Sequence, residues 1–133
     1  RNALVLIDRS SPESRKEGVE TLKKLIHDEG VSPLIFPEGT RNRTDKPLKE
    51  FYDGAFRIAI EAQVPIMPVV LLNVDKISPQ GTFLLSPGRL YSKFYPPIPT
   101  TGLTLDDVER LKQQVFELMW NETEAFIAVH GNR

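Results

Sequence analysis

Two arginines follow two short apolar runs of the sequence. Arg9 comes after the run 4–7, and Arg41 closes the string Glu38-Gly39-Thr40-Arg41 that follows the run 34–36. If these runs are neighbouring parallel strands, their carboxyl ends lie about 5 Å apart, at the edge where open α/β sheets bind ligands. A guanidinium donates two parallel N–H bonds to a phosphate, which a lysine ammonium does not reproduce. The sequence therefore predicts that Arg9 and Arg41 hold one phosphate group.

The three residues before Arg41 add to this prediction. Gly39 allows the backbone to approach a ligand closely, and Thr40 can donate its hydroxyl or cap a turn. Glu38 can order an arginine or accept a hydrogen bond from a substrate hydroxyl. The alternative is that these charged residues form surface ion pairs worth about 0 to 1 kcal/mol each. A strand, a proline, a carboxylate, a glycine and an arginine meeting at one sheet edge favour the binding site.

The first elements that position these residues read as a βαβ unit. The run 4–7 predicts a buried strand, and Ser10 with Glu13 fits a capping box that begins a helix over about 12–29, with Gly30 as its cap. The run 34–36 predicts a second buried strand. Strand, helix and strand in so few residues imply a parallel, right-handed crossover.

The rest of the chain adds helices and a sheet edge. After a polar loop the pattern predicts a helix over about 55–62, a strand from residue 66 onward, two short β runs at 82–85 and 90–94, and a last helix capped by Thr104 and Asp107. We expect an α/β fold with a mixed, largely parallel sheet and flanking helices. We expect a single domain over residues 1–133, since no linker or internal repeat interrupts the chain.

Composition excludes several functions. The net charge of −1 provides no global basic field for binding nucleic acid. The absence of cysteine excludes disulfides, thiolate metal sites and thiol nucleophiles, and we expect no metal and no cofactor. The apolar stretch 64–72 is about half of what a membrane-spanning helix needs, so we expect a soluble chain.

Three blocks of the sequence, together with a Gly-Ala helix start, resemble the glycerolipid acyltransferase family, which includes the 1-acylglycerol-3-phosphate acyltransferases. The string Phe36-Pro37-Glu38-Gly39-Thr40-Arg41 resembles its third block, and Leu6-Ile7-Asp8-Arg9 its second. Residues 51–56 lie where the family has a Gly-Ala helix start, and residues 64–69 are similar to its fourth block. The blocks keep the family's order and spacing over residues 4–72.

The resemblance implies transfer of a fatty acyl group from acyl-CoA or acyl carrier protein to lysophosphatidate, giving phosphatidate. Arg9 and Arg41 would hold the acceptor phosphate, Glu38 and Gly39 would shape its pocket with support from Thr40, and Pro65 would lie on the acyl-donor side. Two alternatives stay open: an inactive module that binds a phospholipid headgroup, and an acyltransferase for another lysolipid, such as a lyso-ornithine lipid or a lysophosphodiester.

The family's first block, a histidine followed five residues later by an aspartate, is missing. His27 is followed by Ser32 at that spacing, and His130 stands three residues before the end of the chain. We interpret His27 as a helix-end residue and His130 as a tail residue. We therefore expect the catalytic pair upstream of Arg1, and expect the chain to be the C-terminal portion of a catalytic domain, inactive alone. Its parent would act at the cytoplasmic face of the membrane, attached through parts outside this chain.

Overall fold

The computed structural model of the chain describes residues 12–79 and 84–131. In these ranges the chain forms helices and a small sheet. The elements are, in chain order, α1 (Pro12–Glu29), α2 (Gly54–Ala62), β1 (Val69–Leu72), α3 (Val74–Ile77), β2 (Tyr91–Phe94), a 3₁₀ turn (Leu105–Asp107) and α4 (Val108–His130). The helices predicted over about 12–29 and 55–62, and the strand predicted at 90–94, are confirmed.

Helix α1 ends where its sequence predicts. Gly30 adopts the left-handed conformation, with φ of 63°, and the N–H of Val31 donates to the carbonyl of Leu25 at 3.2 Å. A left-handed residue directly after the last turn is typical of a helix C-cap, so the assignment of Gly30 is confirmed. The predicted start of the helix at Ser10 lies outside the described residues.

Helix α2 lies between α1 and α4 and buries side chains toward both. One cluster joins α1 and α2 through Leu22, Ile26, Ile58 and Ala62. The other joins α2 to α4 and to the segment before α2 through Leu48, Phe51, Phe56, Ile60, Val108, Leu111 and Val115. Because α2 contributes to both clusters, it is the central layer of the helical core.

The sheet is an antiparallel pair in the described part of the chain. Strand β1 pairs with β2, with Val70 opposite Lys93, and the pairing is extended by a bridge between Ile66 and Ile98. Val70 and Leu72 are buried, and α4 packs on β1. The strand predicted from residue 66 onward therefore begins as an isolated bridge and becomes a regular strand at residue 69.

Residues 34–36 do not form a strand in the described structure, contrary to expectation. A strand needs a neighbouring backbone to complete its hydrogen-bond ladder, and the predicted partner, residues 4–7, lies outside the described residues. Ile35 packs against the α1–α2 cluster, whereas Leu34 and Phe36 are 73% and 62% exposed. The prediction of a run buried on both faces is therefore wrong for Leu34 and Phe36.

The β run predicted at 82–85 is only partly described. Residues 82 and 83 lie outside the described ranges, and Leu84 and Leu85 are exposed and belong to no strand. The N–H of Ser86 donates instead to the carbonyl of Ile77 in α3 at 2.8 Å. For Leu84 and Leu85 the strand prediction is wrong, since neither residue belongs to a strand and the next residue, Ser86, bonds to the end of α3.

The start of the last helix has the predicted cap. The N–H of Thr104 donates to Asp107 Oδ2 at 2.9 Å, and the Thr104 side chain accepts in return, which completes a capping box. The box begins the 3₁₀ turn, from which α4 continues. The Thr104 N–H, and after it Arg110, hold the pKa of the Asp107 carboxyl below its usual value. The prediction that Thr104 and Asp107 cap this helix is confirmed.

Polar side chains fasten the end of α2 to the segment before α4. Gln63 is left-handed, with φ of 52°, and its side chain donates to the carbonyl of Ile60 at 2.6 Å. Its Oε1 accepts from the N–H of Gly102 at 2.8 Å. The buried hydroxyl of Thr100 donates to the carbonyl of Val64 at 2.8 Å. These bonds satisfy backbone groups that packing alone would leave unpaired.

Candidate functional site

The loop that carries the Glu38–Arg41 string, residues 37–52, is closed at its base by backbone bonds. We call it the motif loop. The N–H of Tyr52 donates to the carbonyl of Pro37 at 2.9 Å, and the N–H of Gly39 donates to the carbonyl of Phe36 at 3.0 Å. Gly39 has φ of 70°, a conformation in which an L side chain is strained. The glycine is therefore required by the turn that begins the loop.

Glu38 and Thr40 both bond to Lys49 on the returning side of the motif loop. Glu38 Oε2 accepts from the Lys49 backbone N–H at 2.7 Å, in a partly buried position. The Lys49 Nζ donates to Thr40 Oγ1 at 2.7 Å. Lys49 therefore holds the two sides of the loop together and fixes the residues on either side of Gly39. These bonds give Glu38 and Thr40 a role in shaping the loop.

The tip of the motif loop is held by its own side chains. Asn42 Oδ1 accepts from the Thr44 N–H at 2.9 Å and from its hydroxyl at 2.7 Å. The Asn42 amide donates to the carbonyl of Lys46 at 2.9 Å. Such Asx turns fold short polar segments locally. The bonds of Asn42 thus connect residues 42, 44 and 46 of the tip.

The Arg41 side chain extends from the motif loop to α3 and the residue that follows it. Its Nε lies 3.1 Å from Asp75 Oδ1, and its Nη2 donates to the same oxygen and to the carbonyl of Ser78. Its Nη1 lies 3.5 Å from Ser78 Oγ, at the limit of a hydrogen bond. The Arg41 side chain is 36% exposed and that of Asp75 22%. Asp75 and Ser78 thus hold the Arg41 guanidinium in one orientation.

The sequence also predicts Arg9 and Pro65 as site residues. Arg9 lies outside the described residues, so its convergence with Arg41 on one phosphate stays a prediction. Pro65 is exposed in the segment between α2 and β1. Its predicted place on the acyl-donor side also stays a prediction.

The two histidines occupy helix ends. His27 is the basic residue in the last turn of α1 and is exposed, as predicted. His130 is the last residue of α4 and not a tail residue: its ring stacks on Phe126, with centroids 4.2 Å apart, and lies 6.1 Å from that of Tyr91. The tail interpretation is wrong because α4 continues further than its apolar pattern indicated.

Sequence reasoning did not find the residues that fix the motif. Asp75 and Ser78 lie 34 and 37 positions after Arg41, and no spacing rule connects them to it. Lys49 is one of several cations in the loop, and nothing in the sequence connects it to Glu38 or Thr40. Contacts of this kind depend on the tertiary structure.

A second polar cluster, which the sequence did not predict, joins the sheet to α4. Glu122 accepts from Lys93 at 2.8 Å and from the Tyr95 hydroxyl. These donors, Lys93 first, lower the pKa of the Glu122 carboxyl, while burial and then Glu122 raise the pKa of Tyr95. The residues of this cluster come later in the sequence than the motif loop. We interpret the cluster as structural.

Residues 12–79 and 84–131 lack two features that would bear on function. These ranges hold no group of three or more His, Asp or Glu side chains placed to bind a metal ion. None of their helices has the length and hydropathy needed to span a bilayer.

A protein-family model matches this chain over residues 2–72, and its description is "Acyltransferase". The match includes the complete Glu38–Arg41 string and ends with β1. The match therefore includes α1, the motif loop, α2 and β1.

Curated relatives match over most of the chain. It is 36% identical over 113 residues to the 1-acyl-sn-glycerol-3-phosphate acyltransferase alpha of Mus musculus, which covers 84% of this chain and 39% of the relative. It is 30% identical over 114 residues to a 1-acyl-sn-glycerol-3-phosphate acyltransferase of Limnanthes douglasii, covering 86% of this chain and 40% of the relative. The chain thus spans about two fifths of the length of these relatives.

A solved structure has the same fold. The chain superimposes with a TM-score of 0.68 and 29% identity on the 1-acyl-sn-glycerophosphate (LPA) acyltransferase PlsC from Thermotoga maritima. The similarity covers 85% of this chain and 44% of that one. It confirms the mixed α/β fold class, while the parallel pairing of residues 4–7 with 34–36 stays a prediction.

Proposed function

This chain belongs to the acyltransferase family, and on that premise we propose that the protein containing it transfers a fatty acyl group to the hydroxyl of lysophosphatidate, giving phosphatidate. The observation that carries the proposal is the motif loop, in which Gly39, Glu38 and Arg41 are each held by identified bonds. Relatives and a structural neighbour whose names specify this acceptor support it.

The reaction joins an alcohol to a thioester. The acceptor oxygen attacks the thioester carbonyl, the new C–O bond forms, the C–S bond breaks, and the thiolate takes up a proton. A general base must remove the hydroxyl proton as attack proceeds. The sequence has no histidine followed five residues later by an aspartate, so in this proposal the base comes from a part of the protein outside this chain.

The residues of this chain would bind the acceptor. Arg41, together with Arg9, would hold the phosphate, because guanidinium groups donate several N–H bonds in a fixed plane. Glu38 and Thr40, both bonded to Lys49, would keep Gly39 and Arg41 in place. Binding of the phosphate holds the glycerol hydroxyl at a fixed position relative to the base. This lowers the entropic part of the activation barrier.

The acyl donor in this proposal is acyl-CoA or acyl carrier protein, with Pro65 on its side of the site and no cofactor. The acceptor is a lipid, so the reaction takes place at a membrane surface. Attachment to that surface would come from parts of the protein outside this chain.

The proposal is tested on the full-length protein by following free thiol release from acyl-CoA or acyl carrier protein in the presence of lysophosphatidate. Release above the rate of thioester hydrolysis without acceptor, with phosphatidate as product, is the expected result. Binding of lysophosphatidate without thiol release would instead identify an inactive headgroup-binding module. Release only with a lysophosphodiester or a lyso-ornithine lipid would identify a different acceptor.

A further inference from the structure

Arg41 uses most of its hydrogen-bond donors within the protein. A guanidinium carries five N–H donors: one on Nε and two on each Nη. In the described structure the Nε donor and one Nη2 donor reach Asp75 Oδ1, and Nη2 also reaches the carbonyl of Ser78. On Nη1 the described contact is a long one, 3.5 Å to Ser78 Oγ. A ligand can therefore approach the Nη1 end with the least loss of existing bonds.

From this geometry we propose that Asp75 is a positioning residue for the acceptor phosphate. It acts through Arg41, by holding the guanidinium so that Nη1 points toward the bound phosphate. The inference rests on the proposed function, which makes Arg41 a phosphate ligand, and extends it to a residue in α3, outside the motif loop and outside the matched range 2–72.

Two observations favour a fixed guanidinium over a free one. Arginine has a long, flexible side chain, and fixing it before the ligand arrives removes part of the entropic cost of binding. The side chains of Arg41 and Asp75 are 36% and 22% exposed, and the Nε and Nη2 bonds to one Asp75 oxygen restrain the guanidinium at this accessible position. The carbonyl of Ser78 adds a neutral acceptor that keeps the same orientation.

An opposite role for Asp75 is physically possible, and the two roles differ in sign. A carboxylate beside the site repels a phosphate, so an Asp75 that competes with the acceptor weakens its binding. A positioning Asp75 strengthens it. Removal of the side chain therefore raises the KM for lysophosphatidate in the first-proposed role and lowers it in the competing one.

The experiment uses the full-length protein with Asp75→Ala, Asp75→Asn and the control Asp45→Ala. Asp45 is an exposed carboxylate in the motif loop without a described contact to Arg41. Its removal changes the net charge as much as removal of Asp75 does, but it removes no described bond to Arg41. We expect Asp75→Ala to raise the KM for lysophosphatidate about tenfold, with kcat and the KM for the acyl donor unchanged. Asp75→Asn keeps an acceptor oxygen, so its rise should be about threefold. Asp45→Ala should leave all three constants unchanged.

Coupling to Arg41 provides the second measurement. If Asp75 acts through Arg41, the double variant Arg41→Ala, Asp75→Ala should have the same KM for lysophosphatidate as Arg41→Ala alone. An independent, additive rise in the double variant would overturn the inference. So would an unchanged or lowered KM in Asp75→Ala, or an equal effect of Asp45→Ala.

The failure of the proposed function is distinguishable from the failure of this inference. If the wild-type protein releases no thiol with lysophosphatidate, the proposed function fails, and the Kd for lysophosphatidate in detergent micelles replaces KM as the readout. A Kd raised by Asp75→Ala, and less by Asp75→Asn, supports the inference. An unchanged Kd, or no binding by the wild type, overturns it. If Asp75→Ala does not fold, the comparison of Asp75→Asn with Asp45→Ala decides.

Discussion

The helical core and the motif loop are stabilised by different kinds of interaction. In the core, α2 packs apolar side chains against α1 and α4. In the loop, Glu38, Thr40 and Arg41 each depend on a particular donor or acceptor at a fixed distance. Packing tolerates substitutions of similar volume, whereas directional bonds do not tolerate changes of chemistry. Stability and acceptor binding should therefore respond to different substitutions.

The largest expected effect separates the core from the surface. Phe56 is 2% exposed and contacts Phe51, with ring centroids 6.3 Å apart. Phe56→Ala leaves a cavity and should lower the free energy of unfolding by about 3 to 5 kcal/mol in urea denaturation. Phe94→Ala is the matched control, since Phe94 is 62% exposed and should cost about 0.5 kcal/mol or less. Equal losses would mean that the core does not depend on α2.

The next effect belongs to the site. Arg9→Ala and Arg41→Ala in the full-length protein should each lower kcat/KM for lysophosphatidate roughly ten- to hundredfold, about 1.5 to 3 kcal/mol, because a charge-assisted bond is lost. Lysine at either position should restore activity only partly. The free energy of unfolding should change by about 0 to 1 kcal/mol.

Because both arginines would share one phosphate, their effects should not multiply. The double alanine variant should be less impaired than the product of the single variants predicts. Strictly independent effects, or a loss of stability as large as the loss of activity, would make them structural ion-pair residues instead.

A buried hydroxyl should behave as part of the core. Thr100 is 1% exposed and donates to the carbonyl of Val64 at 2.8 Å, with that of Ala59 at 3.3 Å. Thr100→Val removes the donor to the Val64 carbonyl, whereas the Ala59 carbonyl still accepts from the Val64 N–H. We therefore expect a loss of about 1 to 3 kcal/mol in unfolding free energy. The KM for lysophosphatidate should not change. Thr101→Val, at an exposed neighbour, should have no measurable effect on stability.

The smallest effect concerns pH. The pKa of Glu122 is lowered in the folded state from its usual 4.5, so its ion pair stabilises the fold above about pH 4.5 and loses that effect as pH falls through the lowered pKa. Glu122→Gln should therefore cost about 0.5 to 1 kcal/mol at pH 7, and the difference from wild type should shrink in acid. Urea denaturation at pH 7 and in acid measures this difference in unfolding free energy, with Glu124→Gln, at an exposed position, as the control. A difference that grows in acid would contradict this sign.

Features that depend on neighbouring residues could be predicted from the sequence. Gly30 ends α1, and Thr104 with Asp107 begins the last helix, because the signals for both lie within a few residues. The class of the fold follows from the alternation of such elements. A run such as 34–36 has a strand composition, but whether it pairs depends on a backbone elsewhere in the chain, and this is where the prediction failed for Leu34 and Phe36.

In the candidate site, too, some features could be predicted from the sequence and others could not. Gly39 could be assigned from the motif, and its positive φ agrees with that assignment. The partners of Glu38, Thr40 and Arg41 could not, since composition offers several acids and bases and only the tertiary structure selects Lys49 and Asp75. The convergence of Arg9 with Arg41 stays a prediction.

The backbone bond between Tyr52 and Pro37 has a consequence for sequence variation. It closes the motif loop at its base, while the bonds of Asn42 connect residues within the tip. Insertions between residues 43 and 46 would disrupt the bonds of Asn42 to Thr44 and Lys46 but would leave the bond at the base in place. Doubling the length of a loop costs only about 0.6 kcal/mol in closure entropy. Chains of this kind can diverge in length at the tip while the spacing from Glu38 to Arg41 stays constant.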